Sequence, residues 1–348
     1  MTELETFLAK FNEADWLAAV DGLQREIHDV DSNAVQIWFR FYPLELKRYI
    51  SSAPDRDVAL RELLMQGDYD LSNQIDTSHH FLYGHRYWPE VKAAIETAAT
   101  SFTDGDKKLV DVIKQIGGVG AGKLKVAPNL VNAIAAVGLA TLNQTGLEAF
   151  KAAPGPVSKA KGLMAKDPDA IVAERAKDDS QGLLGFLKTV DKKFSVAFSA
   201  KDFAGKFPIM NDQEIASGSA ADRSQDWQSI DHRCWNGPVP VECTAASCGT
   251  CWIGVLGGQE KLTEVQRRER RRMKVFGYNQ PEDDKPFLRL ACQARALANA
   301  TIVIPPWNAV FGKKVYNNVE DAELEPVTTS AKALREAVRT AIDPESPE

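Results

Sequence analysis

The chain has 348 residues, is 44% hydrophobic and 26% charged, and carries 42 basic against 48 acidic side chains for a net charge of −6. That composition excludes collagen-like, coiled-coil and fully disordered chains, and the acidic balance argues against a protein that coats nucleic acid. Five cysteines are too few for a disulfide-rich secreted scaffold, and the length suits about two domains.

The opening MTELETFLAKFNEADW carries acids among its first five residues and no long apolar run, unlike a secretory signal. Thr2 and Glu5 form a capping-box pair, and Leu4, Phe7, Leu8 and Phe11 share one helix face. Trp16, Val20, Leu23 and Ile27 continue at helical spacing. An aromatic segment runs from Ile37 to Ile50. Ser52, Pro54 and Asp55 read as a helix start with its stop at Gly67, and Pro89 opens another helix. Two further helical stretches fill 104–150, and GGVGAGK at 117–123 reads as a hinge between them. GGVGAGK imitates a phosphate loop, but Leu124 stands where Ser or Thr would hold magnesium, and no buried strand precedes it. Val126 to Leu142 is the most apolar stretch. Its 17 residues include Pro128, Asn129 and Asn132, so it reads as a buried or interfacial helix; a spanning helix needs about 20 apolar residues.

Residues 151–185, rich in Pro, Gly and Lys at the start, read as an exposed connector. The period then changes. Phe194, Val196 and Phe198 alternate with small residues, and WIGVL at 252–256 and TIVIP at 301–305 are strand-like. From 321 to 348 the chain reads as an acidic tail with one short helix from Ser330 to Ile342. The expected class is α+β: a helical domain over 1–150, the connector, a mixed domain over 186–320, and the tail.

The chemistry concentrates in GPVPVECTAASCGTCWIGVLGG. Cys243, Cys248 and Cys251 have the spacing C-x4-C-x2-C, and Cys292 follows in FLRLACQARALANATIVIPP. This is the plant-type spacing for a 2Fe–2S cluster held by four thiolates. The intervening Thr244, Ala245, Ala246, Ser247, Gly249 and Thr250 are small and uncharged, so backbone amides can approach the sulfurs. A zinc site would ordinarily use two close pairs, and here there is one pair, one outlier and one distant cysteine. On these residues the segment from about 190 to 310 resembles the 2Fe–2S ferredoxin family. The RLACQ context of Cys292 is most similar to the adrenodoxin-like branch. The resemblance implies a β-grasp fold, a 2Fe–2S cluster on Cys243, Cys248, Cys251 and Cys292, and one-electron transfer. Cys234 is left over and reads as a small buried residue.

The run KLTEVQRRERRRMK at 261–274 has seven positive and two negative side chains, net +5. In adrenodoxin-like ferredoxins the corresponding region is an acidic helix that docks redox partners, so the resemblance implies docking with the sign reversed. Arg267, Arg268, Arg271 and Arg272 would then meet an acidic partner surface. The alternative is a solvated face whose arginines pair within the chain. RNA binding lacks the stacking aromatics it would need. His79, His80 and His85 cluster among aromatics and read as core or contact surface, with a second cofactor site as the alternative.

The function expected is a one-electron carrier in a cytoplasmic, reducing compartment, dedicated to one enzyme or part of a larger redox complex, with no transmembrane segment and no nucleic-acid partner. Two alternatives stand beside it. One is a redox sensor whose cluster state controls partner binding. The other is an oxidoreductase with a second site in the helical domain, although no dinucleotide fingerprint supports it.

Overall fold

Thr2 opens the first helix as expected: its hydroxyl accepts from Glu5 N–H, and the Glu5 carboxylate accepts from Thr2 N–H. A computed structural model describes residues 1–177, 192–278 and 280–317, together with 334, 337–339 and 341. By their internal contacts they form two units, Met1–Ala53 with Tyr69–Ala176 and Pro54–Asp68 with Lys177–Glu348.

In the first unit α1 (Glu3–Ala9), α2 (Glu13–Gly22), α3 (Asp29–Phe41) and α4 (Leu44–Ser52) precede the departure of the chain into α5 (Arg56–Glu62) of the second unit. After its return come α6 (Trp88–Ser101), α7 (Leu109–Leu124), α8 (Asn132–Thr145), α9 (Leu147–Ala152) and α10 (Pro168–Ala176). The apolar stretch 126–142 supplies most of α8, which is buried on every side from Asn132 to Leu142. A helix apolar all round belongs in a core. Among the described residues no helix is long and apolar enough to cross a membrane.

Three expectations are corrected here. GGVGAGK is no hinge: α7 runs through it. A Cβ at Gly117 would lie 2.2 Å from Asn132 Oδ1, and one at Gly120 would lie 3.3 Å from Val131 and Val91. Close packing therefore outweighs the roughly 1 kcal/mol by which glycine weakens a helix. Gly67 is not a helix stop; α5 ends at Glu62, and Gly67 sits at φ +83° in the two-residue strand β1 (Gln66–Gly67). The described part of 151–185 is more than a connector. Ile171 of α10 is fully buried with Val30 and Tyr83, and Arg175 donates to Val30 O. The tail helix over 330–342 lies outside the described residues except at 334, 337–339 and 341, which are helical.

The second unit is built on a mixed sheet. Its strands are β2 (Lys193–Ser199), β3 (Ala204–Met210), β4 (Gln213–Glu214), β5 (Trp252–Gly257), β6 (Leu288–Leu290), β7 (Arg295–Ala296), β8 (Ala300–Val303) and β9 (Trp307–Asn308). The five-stranded order is β3-β2-β8-β5-β6, with β8 central, parallel to β2 and antiparallel to β5. This is the β-grasp order, and the chain is α+β as expected. Phe194, Val196 and Phe198 of β2 face the core. The short helices α11 (Ile215–Ala220) and α12 (Trp227–Ile230) lead to the cysteine loop; α13 (Arg267–Phe276) follows β5, and α14 (Gly312–Val315) follows β9.

Pro54–Asp68 comes from among the N-terminal helices yet completes this unit. β1 pairs with β9, Val310 N–H donates to Leu63 O at 2.7 Å, and Asp68 N–H donates to Pro306 O at 2.9 Å. Leu63 is fully buried. Leu63→Ala should therefore destabilise the second unit by about 2–5 kcal/mol, the usual cost of emptying a buried leucine site. Denaturant melts followed at the visible absorbance of the cluster would show it. A midpoint equal to wild type would contradict this placement.

Candidate metal centre

Between α12 and β5 the chain makes a loop with little regular structure, and its backbone turns inward at two positive-φ positions, Ala246 (φ +55°) and Gly249 (φ +75°). Such turns let successive N–H groups converge on one concavity. The Ser247 amide donates to Cys243 Sγ at 3.4 Å.

The four predicted thiols are brought together, and Cys234 is not among them. They fall into two pairs. Cys248 Sγ lies 3.1 Å from Cys243 Sγ. Cys251 neighbours Cys292, which is brought there because Ala291 N–H pairs with Cys251 O at 2.9 Å. As free thiols each pair shares a proton unequally. The Cys248 donor bond draws the Cys243 thiol down to about 5 and holds Cys248 up; Cys251 is likewise raised and Cys292 lowered. Among the described residues no group of three or more His, Cys, Asp or Glu is placed to hold a single metal ion. Two pairs of sulfurs suit two irons, with the Ser247 amide as a donor for the negative charge they would carry. Cys243, Cys251 and Cys292 are buried, Cys248 is half-buried, and Thr244 and Ala245 are exposed, so this edge of the unit faces solvent. The Cys234 thiol is fully buried, donates to Pro238 O at 3.2 Å, and is pushed up to about 12 chiefly by burial.

Several contributors were not legible beforehand. Thr250 Oγ1 lies 2.6 Å from Cys248 Sγ, and Gln293 Nε2 lies 3.5 Å from Cys292 Sγ and 3.3 Å from Thr244 O. Glu269 of α13 is buried. Its carboxylate takes the Arg289 guanidinium in two bonds of 2.8 and 2.9 Å and accepts from Leu290 N–H at 2.8 Å, just ahead of Cys292. The signal for Glu269 was its spacing with Met273 and Phe276, which places an acid on the buried face of a basic helix. Arg267, Arg268 and Arg271 are exposed and Arg272 is half-buried. Lys261 is buried against Lys177 O, and Lys274 pairs with Glu282.

The histidines make no comparable centre. His79 Nε2 faces Ile75 O at 3.2 Å, so it carries the proton; His79 Nδ1 therefore accepts from His85 Nδ1–H at 2.8 Å. Burial depresses both, His85 to about 4, and the two rings are neutral near pH 7. His80 bonds Thr77 O.

A β-grasp sheet with three cysteines on one loop and a fourth brought in after β6 defines an iron–sulfur electron-transfer domain. Residues 224–297, a segment of the chain that contains all four cysteines, match the family described as the 2Fe-2S iron-sulfur cluster binding domain. No curated protein and no solved structure matches the chain. The cofactor of such a domain is a 2Fe–2S cluster, and its chemistry is one-electron transfer.

Proposed function

We propose that Cys243, Cys248, Cys251 and Cys292 ligate the cluster, that Cys234 does not, and that the protein is an electron carrier or electron-transfer subunit serving a partner with an acidic docking face. The observation that carries the reading is the convergence of four thiols in two pairs, with the Ser247 amide aimed at Cys243 Sγ. The bound cluster supplies one-electron redox chemistry. The chain's own residues hold it, donate hydrogen bonds to its ligands, and leave the Thr244–Ala245 edge open to solvent. Each cysteine replaced in turn by serine gives the test. The four ligand variants should lose the visible absorption and reduced-state EPR signal, and Cys234→Ser should keep both. Two irons and two sulfides per chain in Cys248→Ser would sink the assignment, as would cluster loss in Cys234→Ser. With four cysteine ligands the potential should lie in the negative range, near roughly −400 mV for centres of this type.

The basic face of α13 supports the partner chemistry. Glu269, the acid within the arginine run, is turned inward and neutralised by Arg289, so it does not offset the exposed arginines. The helix also lies against the cysteine loop, since Phe276 packs on Gly249. A partner held there would sit beside the cluster.

A further inference from the structure

After α13 the chain doubles back along the helix. Gln280 Nε2 lies 3.8 Å from Met273 Sδ, Glu282 pairs with Lys274 at 2.5 Å, Arg270 donates to Asp283 O, and Val265 N–H donates to Asp284 O at 3.2 Å. Residues 280–284 thus meet 273, 274, 270 and 265 in turn, from the C-terminal end of α13 to the residue before its N-cap. Glu282, Asp283 and Asp284 are exposed, and Glu264 is exposed at the same end as Asp284. Lys285, the base that follows, is turned inward to Leu262 O.

At about 100° per residue the helix has distinct sides. Glu269, Met273 and Phe276 face the core. Arg270 and Lys274, one turn apart, take the flank that the acids line. Arg267 and Arg271 come next round the helix and are exposed, and Arg268 is exposed beyond them. A helix with its side chains is about 10–12 Å across, close to the Debye length of about 10 Å at 0.1 M salt. The acidic flank therefore acts on whatever is bound at the arginines. The surface has two signs, a positive ridge with a negative border along one side.

We propose that Glu282, Asp283 and Asp284 determine what the basic helix accepts: a partner protein whose acidic patch is bordered on one side by basic side chains, held in the orientation that matches both signs. A ligand of uniform negative charge meets the arginines and the acids together. Like charges set against each other cost affinity that complementary charges do not, so extended polyanions are turned away. Discrimination of this kind comes from the repulsive element as much as from the attractive one. The inference rests on α13 being the docking face. If Arg268→Glu with Arg271→Glu leaves oxidation by hexacyanoferrate(III) unchanged, that reading falls and takes the acidic border with it. If those rates change and the border variant below does nothing, the border alone is wrong.

The test combines Glu282→Gln, Asp283→Asn and Asp284→Asn in the full, cluster-loaded chain. Amides keep the size of each side chain, and the one at 283 keeps an oxygen for the Lys285 N–H that Asp283 accepts at 2.9 Å. Asp202→Asn, Asp222→Asn and Asp226→Asn, around the β2–β3 turn and α12, make a control with the same change in net charge. Binding is read by fluorescence anisotropy at about 0.1 M salt. The probes are labelled poly(A) and two labelled peptides of equal length, one all glutamate and one a glutamate block joined to a lysine block. Wild type should prefer the two-block peptide. The border variant should bind the all-glutamate peptide and poly(A) about tenfold more tightly and lose that preference, while the control stays within about twofold of wild type. A variant that matches the control, or a wild type that already binds poly(A) as tightly as the variant, would overturn the proposal. If the combined variant melts early, Asp284→Asn alone, whose bond to Val265 is through the backbone, should shift the preference in the same direction by less, and no shift would count equally against it.

Discussion

Glu269→Ala should destabilise the second unit by about 3–5 kcal/mol and leave it unable to keep its cluster. The pair it breaks is fully buried, with the Glu269 and Arg289 side chains 0% and 1% exposed. Removing one partner of such a pair strands the other charge away from water, which is the expensive case. The loss would not stop at Arg289. Leu290 N–H would lose its acceptor, and Leu290 leads directly into Ala291 and Cys292. The Arg289 guanidinium also donates to Thr263 O at 2.7 Å, so the pair ties α13, the segment before it and β6 to one another. Replacing both charges, as Glu269→Met with Arg289→Met, should recover much of the loss, because apolar packing can substitute for a buried ion pair. The exception is the Leu290 amide. A double-mutant cycle in urea, read at the cluster absorbance and by far-UV circular dichroism, separates these effects. A single-variant cost below about 1 kcal/mol would contradict the burial argument.

Charge reversal on α13 should have its largest effect on encounter rates. With Arg268→Glu and Arg271→Glu together, oxidation of the reduced protein by hexacyanoferrate(III), an anion, should slow by about tenfold or more at low salt, whereas oxidation by the cation hexaamminecobalt(III) should quicken. A charged face beside a reacting centre changes association rates by about 10- to 1,000-fold. The effect should fade as the Debye length shrinks from about 10 Å at 0.1 M salt to about 3 Å at 1 M. Because the substituted residues are exposed, the absorption spectrum and the melting temperature should change little. The competing arrangement is that these arginines are neutralised by acids of the same chain. In that case the double variant would melt lower, and its two rates would match those of wild type. Equal rates with a lowered melting temperature would therefore end the docking reading.

The cysteine pattern was legible because cluster ligation depends on local spacing. Three sulfurs on one short loop must be separated by residues small enough for amides to reach them, and TAAS and GT between Cys243, Cys248 and Cys251 state that directly. The core strands were legible for a similar reason. Phe194, Val196 and Phe198 alternate because one face of β2 is buried, and alternation is a property of neighbouring residues. The glycines of α7 were misread for the opposite reason. Taken alone they weaken a helix, and only the approach of Asn132, Val131 and Val91 shows why they are there.

By itself, then, the sequence determined the fold class and the cofactor, and it singled out four thiols to propose as ligands, since each depends on residues close in the chain or on a spacing the metal chemistry demands. The tertiary structure alone decided how the thiols pair, that Pro54–Asp68 completes the second unit, that Glu269 faces Arg289 instead of solvent, and that Tyr278 reaches the Gly249 carbonyl. Those features join positions far apart in the chain. A buried charge or hydroxyl is stable only beside its particular partner, and that partner is identified by the fold and not by any local pattern.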